Sequence, residues 1–165
     1  MNYWRMQLHP GGDSPWAMEY AVHSIGAGFI GLDFALTEDG NVVGDLLADN
    51  NQKISSVQEN FVPFAKEMVV NDKVLIIVHH HPFAVVTVDS EYNYIRRTEP
   101  KLGVWFRHFR RIKDPIYFSD FVVGNKKWVR NKEIQMTLTI QGLVNTDTLS
   151  HTLIQDMIAW HDQRS

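Results

Sequence analysis

The chain has 165 residues with 16 Lys plus Arg, 19 Asp plus Glu and no cysteine, for a formal charge of −3. That length suits one domain able to bury a core, and the missing thiols exclude disulfides, zinc–thiolate sites, iron–sulfur clusters and a cysteine nucleophile. An intracellular (cytoplasmic) address fits best, and the apolar runs Val74 to Val78 and Phe83 to Val88 fall far short of the roughly 18 residues that span a bilayer.

Tyr3 to Leu8 alternates apolar and polar side chains before Pro10-Gly11-Gly12, which predicts a short strand and a turn. Asp13 or Ser14 then caps a helix with Pro15 at its first position and Met18, Val22 and Ile25 at helical spacing, ended by Gly26 and Gly28. Gly28 to Phe34 reads as an apolar strand whose two glycines allow close approach of another backbone or a ligand. Thr37 to Gln52 reads as loop. Val57, Phe61, Phe64 and Met68 form an amphipathic stripe, divided or kinked at Pro63.

The runs VLIIV and FAVVTV, joined by His79-His80-His81-Pro82, predict a strand pair with a polar tip. Val104 to Ile112 predicts a third long strand, with Trp105, Arg107, Phe109 and Arg111 on one face and Phe106, His108, Arg110 and Ile112 on the other. Both faces mix apolar and basic groups, so neither reads as a plain core face. Pro115 to Phe121 predicts a turn or short helix, Lys126 to Arg130 a basic patch around Trp128, and Glu133 to Ile140 another strand. Asp147 or Thr148 starts a closing helix carrying Leu149, Leu153, Met157 and Trp160. The order predicts an α+β fold with a curved mixed sheet or partial barrel flanked by helices. Residues 1–146 form the domain, and 147–165 a helix that packs on it or leads onward.

The net charge conceals a strong asymmetry. Residues 1–93 carry 4 basic and 12 acidic side chains, 94–132 carry 11 and 3, and 133–165 carry 1 and 4. The middle segment is thus a basic island, interleaved with Trp105, Phe106, Phe109, Tyr117, Phe118, Phe121 and Trp128. Cations attract phosphates and aromatic faces stack on unpaired bases, so the island suits nucleic acid, although a strand burying its aromatics has the same composition.

Motifs for catalysis are missing: no GxSxG, HExxH, phosphate loop or complete GxGxxG. The histidine run offers at most His79 and His81 to one ion, too few for a metal centre, so no metal or cofactor is expected. Reading a modified base requires flipping it from the duplex and enclosing it between aromatic faces. A methyl group adds apolar area worth about 1 kcal/mol on burial. Trp4, Phe29, Phe34, Tyr92, Tyr94 and Trp105 are the aromatic residues available for such a cage.

Tyr3-Trp4-Arg5, GFIGLDF at 28–34, NDKVLI at 71–76, and VVTVDSEYNY followed by VWFRHFRRIKDP together resemble the EVE and YTH-like branch of the PUA superfamily. The likeness covers about residues 1–115. It is nearest to the modified-DNA reader domains at the N-terminus of McrB-type restriction proteins. Two departures stand out: phenylalanine replaces the cage tryptophan at Phe34, and His79 to Pro82 replaces a glycine-bearing turn. The resemblance implies a cage role for Phe34, backbone and edge contacts from Gly31 to Asp33, and a second wall from Tyr92 and Tyr94.

The combined expectation is a non-enzymatic specificity domain of a modification-dependent restriction system, binding double-stranded DNA with a methylated base in the aromatic pocket. Phosphate contacts are expected from Arg96, Arg97, Arg107, Arg110, Arg111, Lys113, Lys126, Lys127 and Arg130. GTPase and nuclease functions would belong to other domains or subunits. The rival readings are an RNA-binding PUA-like module, a metal-dependent nuclease using Asp33, Glu59 or Glu67, and a protein-interaction domain.

Overall fold

A computed structural model describes residues 1–8, 15–32, 62–95, 97–103, 105–130, 132–136, 138–144 and 148–164. The uninterrupted apolar run VLIIV has a simple cause: its strand is covered on both faces. In β3 (Lys73–Val78), Val74, Ile76 and Val78 face one core and Leu75 and Ile77 the other. It pairs antiparallel with β4 (His81–Val88) through the two-residue turn His79-His80. Both turn residues have positive φ, 47° and 67°, as the tightest hairpin turns require. The histidine run is therefore an exposed hairpin tip, and among the described residues no three metal-ligating side chains converge.

The fold is α+β, with a curled mixed sheet. The remaining strands are β1 (Tyr3–Gln7), β2 (Phe29–Leu32), β5 (Asn93–Tyr94), β6 (His108–Tyr117) and β7 (Ile140–Gly142). Their order is β2-β6-β4-β3-β1-β7, with β5 continuing the line of β4 along β6. Only β1 and β3 run parallel among the described pairs.

The inner core lies on one face, where Trp4, Met6, Ile30, Ile76, Val86, Phe106 and Ile112 meet Ala21 and Ile25 of α1 (Ala17–Gly26). Phe64, in a single π-helical turn (Pro63–Glu67), and Met68 complete it. Pro63 at the start of that turn agrees with the expected break; Val57 and Phe61 lie outside the described residues. The outer core forms on the opposite face. There α2 (Phe118–Phe121), Trp128, Ile134 and α3 (Leu149–Asp162) pack on Leu75, Ile77 and Val85. No helix among the described residues is long and apolar enough to cross a membrane.

Several expectations need correction. Met18 and Val22 do not face the core: they are exposed, and α1 buries Ala17, Ala21, Ser24 and Ile25 instead. These small residues let the helix approach closely enough for Ser24 Oγ to donate to the Phe29 carbonyl at 2.8 Å. The expected caps Asp13 and Ser14 lie outside the described residues. The strand expected at 133–140 is limited to Ile140–Gly142, because Ile134 turns into the outer core and its N–H donates to the His80 carbonyl at 2.7 Å. The closing helix starts as expected, with Thr148 Oγ1 accepting from His151 N at 3.1 Å. It packs on the sheet, although Leu149 is exposed.

Candidate nucleic-acid interface

Strand β6 positions Arg110, Arg111 and Lys113, and the alternation of this segment decides which side chains point inward. Phe106, His108, Arg110 and Ile112 are all buried, whereas Arg111 and Lys113 are exposed. Contrary to expectation, one face of this segment is a core face, and it includes a charged residue. Further along, Asp114 takes a positive φ of 49° and the β4–β6 register shifts between Val85 and Thr87. This bulge reverses the alternation, so Ile112 enters the inner core and Ile116 the outer one.

Arg110 is the largest fully buried side chain. Its Nε donates to the Phe64 carbonyl at 2.8 Å, one terminal nitrogen to Ser90 O at 3.0 Å and the other to Ala65 O at 3.2 Å. The guanidinium also lies 5.6 Å from the Phe64 ring centroid. Burial lowers its pKa, against the opposing charges of Glu91 and Asp72, yet an arginine remains protonated at such a site. Arg110 is consequently no phosphate contact. It ties the Pro63–Glu67 turn and the segment after β4 to β6.

Above it sits an aromatic cluster. Tyr92 Oη lies 2.7 Å from His108 Nδ1, and the two rings stack at 6.0 Å and 20°. Tyr94 tilts against His108 at 4.8 Å, and Phe64 meets Tyr92 edge-on at 6.4 Å. Burial, aided by Tyr94 and opposed by Arg110, raises the Tyr92 pKa to about 12. Tyr92 therefore keeps its proton at neutral pH, and its hydroxyl shares a hydrogen bond with Nδ1. Raised above its unfolded value near 10, this pKa gives stability that is fully present below pH ~10 and fades as pH rises through 12. In an alkaline absorbance titration, Tyr92→Phe should remove one phenolate that appears near pH 12. A titration in which Tyr92→Phe removed a phenolate forming near pH ~10 would contradict this burial.

The other pocket candidates separate. Trp4 is core: its ring lies against Gly142, and Nε1 donates to Asp72 at 2.9 Å. Trp105 stacks on Tyr20 of α1 at 4.1 Å and 16°, with its Nε1 buried and without a hydrogen-bond partner. Phe29 packs edge-on against Phe109 at 5.6 Å. Gly31 is needed for packing, since a Cβ there would collide with the His108 carbonyl and the Phe106 side chain. Asp33, Phe34 and Arg96 lie outside the described residues, as do Glu59 and the rest of the 33–61 segment. Tyr92 and Tyr94 are thus the pair brought together, around a histidine that the sequence reading did not single out. The alternation of Phe106, His108, Arg110 and Ile112 was the signal that could have revealed it.

The expected phosphate contacts divide into two groups. Arg97 and Arg111 are exposed, Arg107 is half-buried, and Lys113 pairs with Asp89 at 2.8 Å. That bond holds the Asp89 carboxyl below, and the Lys113 ammonium above, their usual ranges. Lys126 and Arg130 are exposed on the loop after α2, where Lys127 meets Asp156 at 2.7 Å. Burial pushes the Asp156 carboxyl up, but the bonds from Lys127 and Trp128 outweigh it and hold the group low.

No family model matches the chain. No curated protein matches it either. Among solved structures, it is similar to the protein Atu2648 from Agrobacterium tumefaciens at 15% identity, over 96% of this chain and 92% of that one, with a TM-score of 0.35.

Proposed function

We propose that this chain is a nucleic-acid reader domain of the PUA/EVE kind, which binds duplex DNA and receives a flipped, modified base among aromatic side chains. The observation that carries the reading is the convergence of Tyr92 and Tyr94 on His108, on the strand whose opposite face exposes Arg111. Aromatic faces replace the stacking a flipped base loses, and the Tyr92–His108 hydrogen bond holds the two rings in position within the cluster. The sequence motifs at 28–34 and 85–94 support the same reading. Phe34 and Asp33 would supply the remaining wall and edge contact, and a GTPase and nuclease of a restriction complex would act on the marked DNA.

The test compares matched duplexes carrying no modification, N6-methyladenine, 5-methylcytosine or 5-hydroxymethylcytosine at two salt concentrations. One modified duplex should bind at least several-fold tighter, and Tyr94→Ala should reduce that preference more than it reduces affinity for plain DNA. Arg111→Ala should weaken all duplexes alike and flatten the salt dependence by about one ion. Equal affinity for every duplex would remove base reading. Stronger binding to the single-stranded RNA counterpart would move the domain to the RNA-binding class.

A further inference from the structure

The two groups of cations lie toward opposite ends of one sheet face. Arg111 and Lys113 point away from the inner core at the end where Asp89 N donates to Arg111 O. The loop carrying Lys126 and Arg130 follows α2 at the other end of β6, and its continuation meets the hairpin tip through Ile134 and His80. Along β6, Lys113 stands five residues before Phe118, where α2 begins, roughly 16 Å at the usual rise of about 3.3 Å per residue.

The second group is held in place. Trp128 is buried in the outer core, and its Nε1 donates to Asp156 at 2.8 Å. Asn125 Oδ1 accepts from the backbone N–H groups of Lys127 and Trp128 at 2.9 and 3.1 Å. Lys126 and Arg130 thus project from a fixed loop, so contacts made there order little additional chain. Exposed Asp114 and Asp120 fall between the groups in the sequence, which argues against one continuous phosphate track.

We infer that the 125–130 loop is a second, separate phosphate contact, engaged when duplex extends at least about five base pairs beyond the primary contact at Arg111 and Lys113. This rests on the duplex-binding reading above and adds a minimum site length to it. The test uses the full chain, a Lys126→Ala/Arg130→Ala double variant, a DNA hairpin with a stem of about six pairs and a duplex of about sixteen pairs. On the long duplex the double variant should bind roughly tenfold more weakly, with a salt slope lower by about two; on the short stem the loss should stay under about twofold. An equal loss at both lengths, or none on the long duplex, overturns the second contact while leaving duplex binding intact. Failure of the unsubstituted chain to bind either DNA overturns the duplex reading itself. Both residues are exposed, and an unchanged melting temperature checks that the variant is folded.

Discussion

Arg110→Ala is expected to destabilise the fold by about 3–5 kcal/mol, the range for removing one partner from a buried charged network. The substitution strips donors from three backbone carbonyls, those of Phe64, Ala65 and Ser90, and opens a void beneath the Phe64 ring. Each carbonyl left dry costs about 1–3 kcal/mol, partly relieved where water can enter beside Ser90. Arg110→Lys should recover little, because one ammonium on a flexible stem cannot reproduce a planar fork reaching three acceptors. Urea unfolding at neutral pH measures both variants. A loss below about 1 kcal/mol for Arg110→Ala would show that the guanidinium is dispensable and reopen a surface role for it.

Asp72→Ala should follow closely, at about 3 kcal/mol. The carboxylate is fully buried and accepts from Asn2 N at 2.7 Å, Trp4 Nε1 at 2.9 Å and Val69 N at 3.1 Å. It joins β1 to the turn that leads into β3, beside Asn71 at a positive φ of 73°. Its removal leaves the Trp4 indole N–H without an acceptor, so tryptophan fluorescence should change along with the unfolding midpoint. Asp72→Asn keeps an acceptor oxygen and should lose less. Identical losses for the two variants would mean that the side-chain oxygens contribute little.

These two residues also show where the sequence could be read and where it could not. The β3–β4 hairpin and the closing helix were legible because each signal is local: two β-branched runs joined by a two-residue turn, and Thr148 preceding Leu153 and Met157. Arg110 was misassigned because a cation among aromatics looks the same in sequence whether it faces phosphate or backbone carbonyls. The carbonyls that hold it lie 20, 45 and 46 residues away. Met18 and Val22 misled for a related reason, since the docking face of α1 was selected by close approach through alanines rather than by bulk. Of the proposed pocket, Tyr92 and Tyr94 were named as aromatics in the segment where the resemblance implies a second wall. Their partner His108 emerged only once β5 was paired with β6.

The bulge at Asp114 carries a consequence for how this protein tolerates change. Because the chain steps out of phase there, the first half of β6 answers to the aromatic cluster and the second half to the helical layer. One ten-residue strand thereby contains two modules with separate neighbours. Substitutions around His108 should leave the packing of Ile116 undisturbed, while loss of a single residue at the bulge would turn one half of the strand onto the wrong face.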